Sequence, residues 1–76
     1  MMNDEVKLQR RKAIGEQIAA IREKKGYGVR SLAEKCGVNY TNICKIERGA
    51  YNVSIDILSK ICDALECDII INERND

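Results

Sequence analysis

VRSLAEKCGVNYTNICKIER, residues 29–48, is the stretch on which the reading of this chain turns. In its first half Val29, Leu32, Ala33 and Cys36 mark one face of a short helix that starts after Gly28 and stops at Gly37. A second helix follows almost at once. Asn39 is a suitable N-cap, Ile43 and Ile46 give the helix a buried side, and Gly49 can end it in the left-handed conformation. Only Gly37, Val38 and Asn39 lie between the two. Small Ala33 lets two helices cross closely, Gly37 supplies a turn that a side chain would hinder, and Ile43 and Ile46 pin the second helix to a core. With those two isoleucines inward, periodicity turns Tyr40, Thr41, Cys44, Lys45 and Arg48 outward.

Two helices joined this tightly make a helix-turn-helix pattern. Before it, Ile14, Ile18 and Ile21 form the apolar face of a helix from Ala13 to Lys25, with Gly26 ending it. That stripe does not continue backward, because Lys7, Arg10 and Arg11 stand where it would run. Residues 1–12 therefore read as a basic N-terminal extension, either more helix or a loose arm. After the pattern, Ser54 caps a fourth helix with Asp56 in its first turn, and Ile55, Leu58, Ile61, Cys62 and Leu65 face inward. In the tail, Cys67, Ile69 and Ile71 alternate with Asp68, Ile70 and Asn72, a period of two that predicts a short strand, with a fifth helix as the rival. The expected organisation is an extension over 1–12, a helical domain over 13–66 and a strand-like tail over 67–76.

The 76 residues suit one small domain, without an apolar run long enough to cross a bilayer and without a secretory signal in MMNDEVKLQRRK, which predicts a cytoplasmic protein. Cys36, Cys44, Cys62 and Cys67 have seven, seventeen and four residues between them and no histidine accompanies them. That spacing is not a zinc framework, so the cysteines read as reduced thiols, and no metal or cofactor is expected. An enzyme is not expected either: no histidine serves as base for Ser31 or Cys44, and no phosphate-cradling glycine loop is present. The net charge of +1 hides an asymmetry. Residues 1–48 carry eleven Lys/Arg against six Asp/Glu, whereas residues 49–76 carry two against six. A basic first part suits a polyanionic partner, with the acidic remainder held away from it.

The sequence resembles the lambda-repressor-like, Cro-type (XRE) helix-turn-helix family. The resemblance runs from about residue 13 to 67 and is carried by Leu32-Ala33-Glu34-Lys35 with Gly37-Val38, by Ile43 with Ile46-Glu47-Arg48-Gly49, and by Leu58 to Leu65. It implies an all-α bundle of four to five helices whose third helix, Tyr40 to Arg48, enters the major groove of double-stranded DNA, with the tail strand available for dimerisation. It places base contacts at Tyr40, Thr41 and Lys45. Phosphate contacts are implied at Gly28 and Val29 through backbone N–H groups, and at Arg30, Asn39, Asn42, Arg48 and Asn52. Arg22 and Glu47 match an internal ion pair of the family. This chain departs from the family by Val29 where glutamine is usual, by Val53 where proline is common, and by the strand-like tail in place of a last helix.

An unpaired strand invites pairing with a second copy. Ile69, Ile70 and Ile71, with Ile57 packed beneath them, are accordingly expected to hold a homodimer. The expected function is sequence-specific DNA binding as a dimeric transcriptional regulator, a repressor reading a pseudo-palindromic operator. The alternative is an antitoxin-type protein whose main partner is a toxin and which binds DNA to regulate itself. No small-molecule substrate is expected.

Overall fold

Each helix begins and ends where local hydrogen-bond chemistry requires it. In the computed structural model, which describes residues 3–75, the order is α1 (Asp4–Lys24), α2 (Val29–Cys36), α3 (Tyr40–Glu47) and α4 (Ile55–Ala64). Asn39 Oδ1 accepts from the Thr41 amide at 2.8 Å to start α3, and Ser54 Oγ accepts from the Ile57 amide at 3.1 Å to start α4. Gly37 ends α2 in the left-handed conformation (φ 71°), and Gly49 does the same after α3 (φ 74°). Glu66 takes that role after α4 with φ 55°, an uncommon conformation for a side-chain-bearing residue. Its amide bonds to the Asp63 carbonyl and the Cys67 amide to the Cys62 carbonyl, closing a Schellman turn that brings the Cys62 and Cys67 thiols together.

The core is a single cluster of Ile18 from α1, Leu32 and Ala33 from α2, Val38 from the turn, Ile43 and Ile46 from α3, and Ile61, Ala64 and Leu65 from α4 and its end. Leu32, Ile43, Ile61 and Leu65 are fully enclosed. Helix α1 packs on α3, and α2 packs on both α3 and α4, so α2 and α3 are each gripped from two sides. Truncating any of the four enclosed side chains to alanine is expected to cost about 2–5 kcal/mol, a large share of what so small a domain can hold.

Several expectations are refined or corrected. Of the two readings left open for the N-terminal extension, the described residues 3–12 take the helical one: Asn3 caps α1 by accepting from the Val6 amide at 2.9 Å, Asp4 and Glu5 favour the positive end of the helix, and one helix runs through to Lys24. Within α1, Ile14 lies outward at 39% exposure and Gly15 takes the buried place beside Ile18. In the tail, residues 67–75 form neither strand nor fifth helix. The period-two pattern makes one face apolar, but a strand also needs a ladder partner for its backbone, and no other strand exists among the described residues. A fourth adjustment concerns α4, where Ile55 points away from the core at 68% exposure while Ile57 packs partly against it.

Candidate nucleic-acid interface

The position of α3 is fixed by two contacts with α1. Gly15 sits against the last turn of α3 so closely that a Cβ on it would lie 2.3 Å from the Ile46 carbonyl oxygen and 2.6 Å from that of Glu47. Only glycine permits that approach. Two turns further along α1, Arg22 grips the end of α3: its Nε donates to Glu47 Oε2 at 2.7 Å and its Nη2 to Glu47 Oε1 at 3.0 Å. The remaining nitrogen, Nη1, donates to the Tyr27 carbonyl at 2.9 Å, so the guanidinium also braces the α1–α2 connection. Both side chains are largely buried, at 13% and 11% exposure. The hydrogen bond to Glu47 raises the Arg22 pKa above its ordinary value, against the opposing effect of burial. A bidentate, shielded pair of this kind fixes orientation as well as distance.

The opposite face of α3 is open. Thr41, Lys45 and Arg48 are exposed, and Tyr40 stands out at 41%. Neither the Thr41 nor the Lys45 side chain makes a hydrogen bond or ion pair among the described residues. Tyr40 is less free: the Arg30 guanidinium from α2 lies 4.5 Å from the centre of its ring, a cation–π contact that ties the two helices at their exposed edge. Asn42 and Cys44 are half-buried on the flanks of α3. The start of α2 lies on the same two-helix unit. Its N-cap, Gly28, offers no side-chain acceptor, leaving the first amides of α2 uncapped, while Ser31 Oγ donates to the Gly28 carbonyl. Asn39 is exposed with Oδ1 committed to its cap, which leaves its amide NH2 as the free donor, and Asn52 is exposed in the α3–α4 connection.

Gly15 was not among the residues that the sequence singled out. Its signal was present, since Gly15, Ile18 and Arg22 recur at three and four and form the face that meets α3. The Arg30–Tyr40 stack, by contrast, joins two residues of different helices and leaves no mark in periodicity.

The helix-turn-helix family model HTH_3 matches residues 18–71. The chain belongs to this helix-turn-helix family. Curated relatives include the HTH-type transcriptional regulator SinR of Bacillus licheniformis, 36% identical over 66 residues that make up 83% of this chain and 60% of the relative. SlrR of Bacillus subtilis, also an HTH-type transcriptional regulator, is 39% identical over 57 residues, 74% of this chain and 38% of the relative. The chain thus spans 60% and 38% of the lengths of these two relatives. Among solved structures, the restriction-modification controller protein C.AhdI from Aeromonas hydrophila superposes with a TM-score of 0.77 at 27% identity, covering 79% of this chain and 91% of that one. The clp gene regulator ClgR from C. glutamicum superposes with a TM-score of 0.75 at 34% identity, covering 78% and 76%. The family assignment and the four-helix all-α fold agree with one another. The antitoxin alternative gains no support from these relatives, whose names describe regulators and controller proteins.

Proposed function

We propose that this chain is a sequence-specific DNA-binding transcriptional regulator of the cytoplasm that works as a homodimer and represses by occupying a pseudo-palindromic operator. The observation that carries the reading is the contrast between the two sides of α3. One side is held against α1 by the Gly15 crossing and the Arg22–Glu47 pair, and the other presents Thr41 and Lys45 exposed and, among the described residues, unpaired. Such a helix is a rigid support for side chains that reach into a major groove. Lys45 donates to guanine O6 or N7, Thr41 meets a base edge or a thymine methyl, and Tyr40 joins them from the start of the helix. The uncapped amides at Gly28 and Val29, with Arg30, Asn39, Asn42, Arg48 and Asn52, hold phosphates and fix the register.

Dimerisation through the tail is supported by its unpartnered apolar side chains: Ile70 and Ile71 are exposed at 70% and 96%, and Ile69 at 46%. Ile55 is likewise exposed, at 68%, whereas Ile57 is largely spent on the chain's own core. Two copies would read half-sites about 34 Å apart.

The test is selection of the purified protein against a randomised duplex library at near-physiological salt. A two-fold-related motif is the expected product. Lys45→Ala should then relax preference at one base position per half-site, and Arg48→Ala should weaken all duplexes alike and lower the salt slope by about one. A folded protein that enriches no sequence would refute the reading.

A further inference from the structure

The first half of α1, up to Ile14, contributes no residue to the core cluster, and most of its side chains are exposed. Helix α1 meets α3 at Gly15, and Lys12 lies directly against Gly49, where a Cβ would come within 2.6 Å of Lys12 Cγ and 2.7 Å of its backbone nitrogen. Beyond Lys12 the helix continues for two more turns to its cap at Asn3. Lys7, Arg10 and Arg11 stand at i, i+3 and i+4 on one face of that projection, Lys7 and Arg10 exposed and Arg11 half-buried. None of the three is in an ion pair among the described residues, although Asp4 and Glu5 lie on the same helix. Gly49 follows Arg48 directly, so the projection leaves the fold beside the end of α3 and the α3–α4 connection that carries Asn52.

We propose that this projection is a second DNA-binding element, a rigid basic rod whose Lys7, Arg10 and Arg11 contact duplex phosphates flanking the bases read by α3. The assignment rests on the DNA-binding reading above and deepens it. Charge complementarity favours a polyanion over an apolar partner, and position favours the one polyanion that α3 is already proposed to meet. Lys7 to Arg11 spans about 6 Å of helix axis, enough to meet more than one phosphate along a strand. Because the element is helix rather than a loose arm, ordering it on DNA costs no backbone entropy. It reads no bases. Its effect is on affinity and salt dependence for any duplex long enough to reach it.

The experiment is fluorescence anisotropy over a salt series with the wild type and the triple variant K7Q/R10Q/R11Q. The probes are a selected duplex, the same duplex trimmed at its flanks, and a random duplex of the full length. Glutamine keeps helix propensity, and an unchanged helical circular dichroism signal verifies that α1 remains folded. The expected result is a salt slope lower by about 2–3 for the variant on both full-length duplexes, with little difference on the trimmed one and the same base preference. Equal slopes for a wild type that binds would overturn the rod while leaving the reading by α3 intact. No binding by the wild type to any duplex would overturn both. A variant with an unchanged slope but a shifted sedimentation profile would assign the projection to the acidic segment of a second copy, which also overturns the proposal.

Discussion

Replacing Gly15 by alanine should destabilise this protein even though it improves the helix that carries it. In an unpacked helix the change gains about 1 kcal/mol, because glycine is the poorest helix former after proline. Here the new Cβ would lie 2.3 Å from one α3 carbonyl oxygen and 2.6 Å from the next, where ordinary contact begins at 3.4 Å. The obstruction is backbone on both sides, so no rotamer relieves it, and α1 and α3 must part by about 1 Å. That separation loosens Ile18 against Ile43 and Ile46 and stretches the Arg22–Glu47 pair. Overpacking of this kind costs about 1–3 kcal/mol or more, and a backbone clash belongs at the upper end. The net loss is about 1–2 kcal/mol, a fall in Tm of roughly 5–15 °C for a domain of this size. Thermal and urea unfolding followed by circular dichroism measure it. A peptide of residues 3–25 provides the control, in which Gly15→Ala should raise helicity. A full-length variant as stable as the wild type, or more stable, would refute the reasoning, since the propensity gain would then be acting unopposed.

Other predictions concern the pair, the thiols and the tail. Glu47→Gln leaves the Arg22 charge with only the exposed Glu23 carboxylate, 4.0 Å from Nη2, in a site where the side chains of Arg22 and Glu47 are only 13% and 11% exposed. A loss of about 3 kcal/mol in urea unfolding is expected, and a double-mutant cycle with Arg22→Met should recover part of it. Burial, helped by the hydrogen bond with Cys67, pushes the Cys62 thiol from about 9 up to about 11. The folded state therefore holds this proton more tightly than the unfolded chain, so the contribution is intact below pH 9 and is lost as pH rises through 11. Between pH 8 and 10.5 the wild type should lose more stability than Cys62→Ala; equal losses would show that the thiol is not linked to folding. Deleting residues 68–76 should weaken self-association in sedimentation velocity, and an unchanged profile would remove the tail from the dimer interface.

The sequence was most legible where the constraint was local or strictly periodic. The turn at Gly37, the Asn39 and Ser54 caps, the left-handed Gly49 and the inward Ile43 and Ile46 all follow from neighbours within a few residues, and the structure has them. The Arg22–Glu47 contact joins residues 25 apart, a separation that no periodicity reaches; only likeness to the family pointed to it. The start of α1 was open because an apolar stripe reveals a helix packed on the core, whereas its first turns contribute no core residue; the cap at Asn3 followed by Asp4 and Glu5 was the available signal. An apolar stripe points to Ile14 and not to Gly15 because it registers bulk, and at a close helix crossing the informative residue is the smallest one. The tail misled for a related reason. Alternation reports which face is apolar, not whether a neighbouring strand exists to bond with.

The division of α3 into a fixed side and an open side bears on how proteins built this way diversify. Thr41 and Lys45 are exposed and contribute nothing to the core, so substitutions there should change stability by no more than about 0.5 kcal/mol. Gly15, Arg22, Ile43, Ile46 and Glu47 have no such latitude. Under the assignment proposed for α3, a gene duplicate can therefore drift toward a new operator through a few neutral steps at the open positions, with the scaffold held constant throughout. Tyr40 is the exception: its stack on Arg30 couples a proposed reading position to a proposed phosphate position, so those two should be replaced together rather than one at a time.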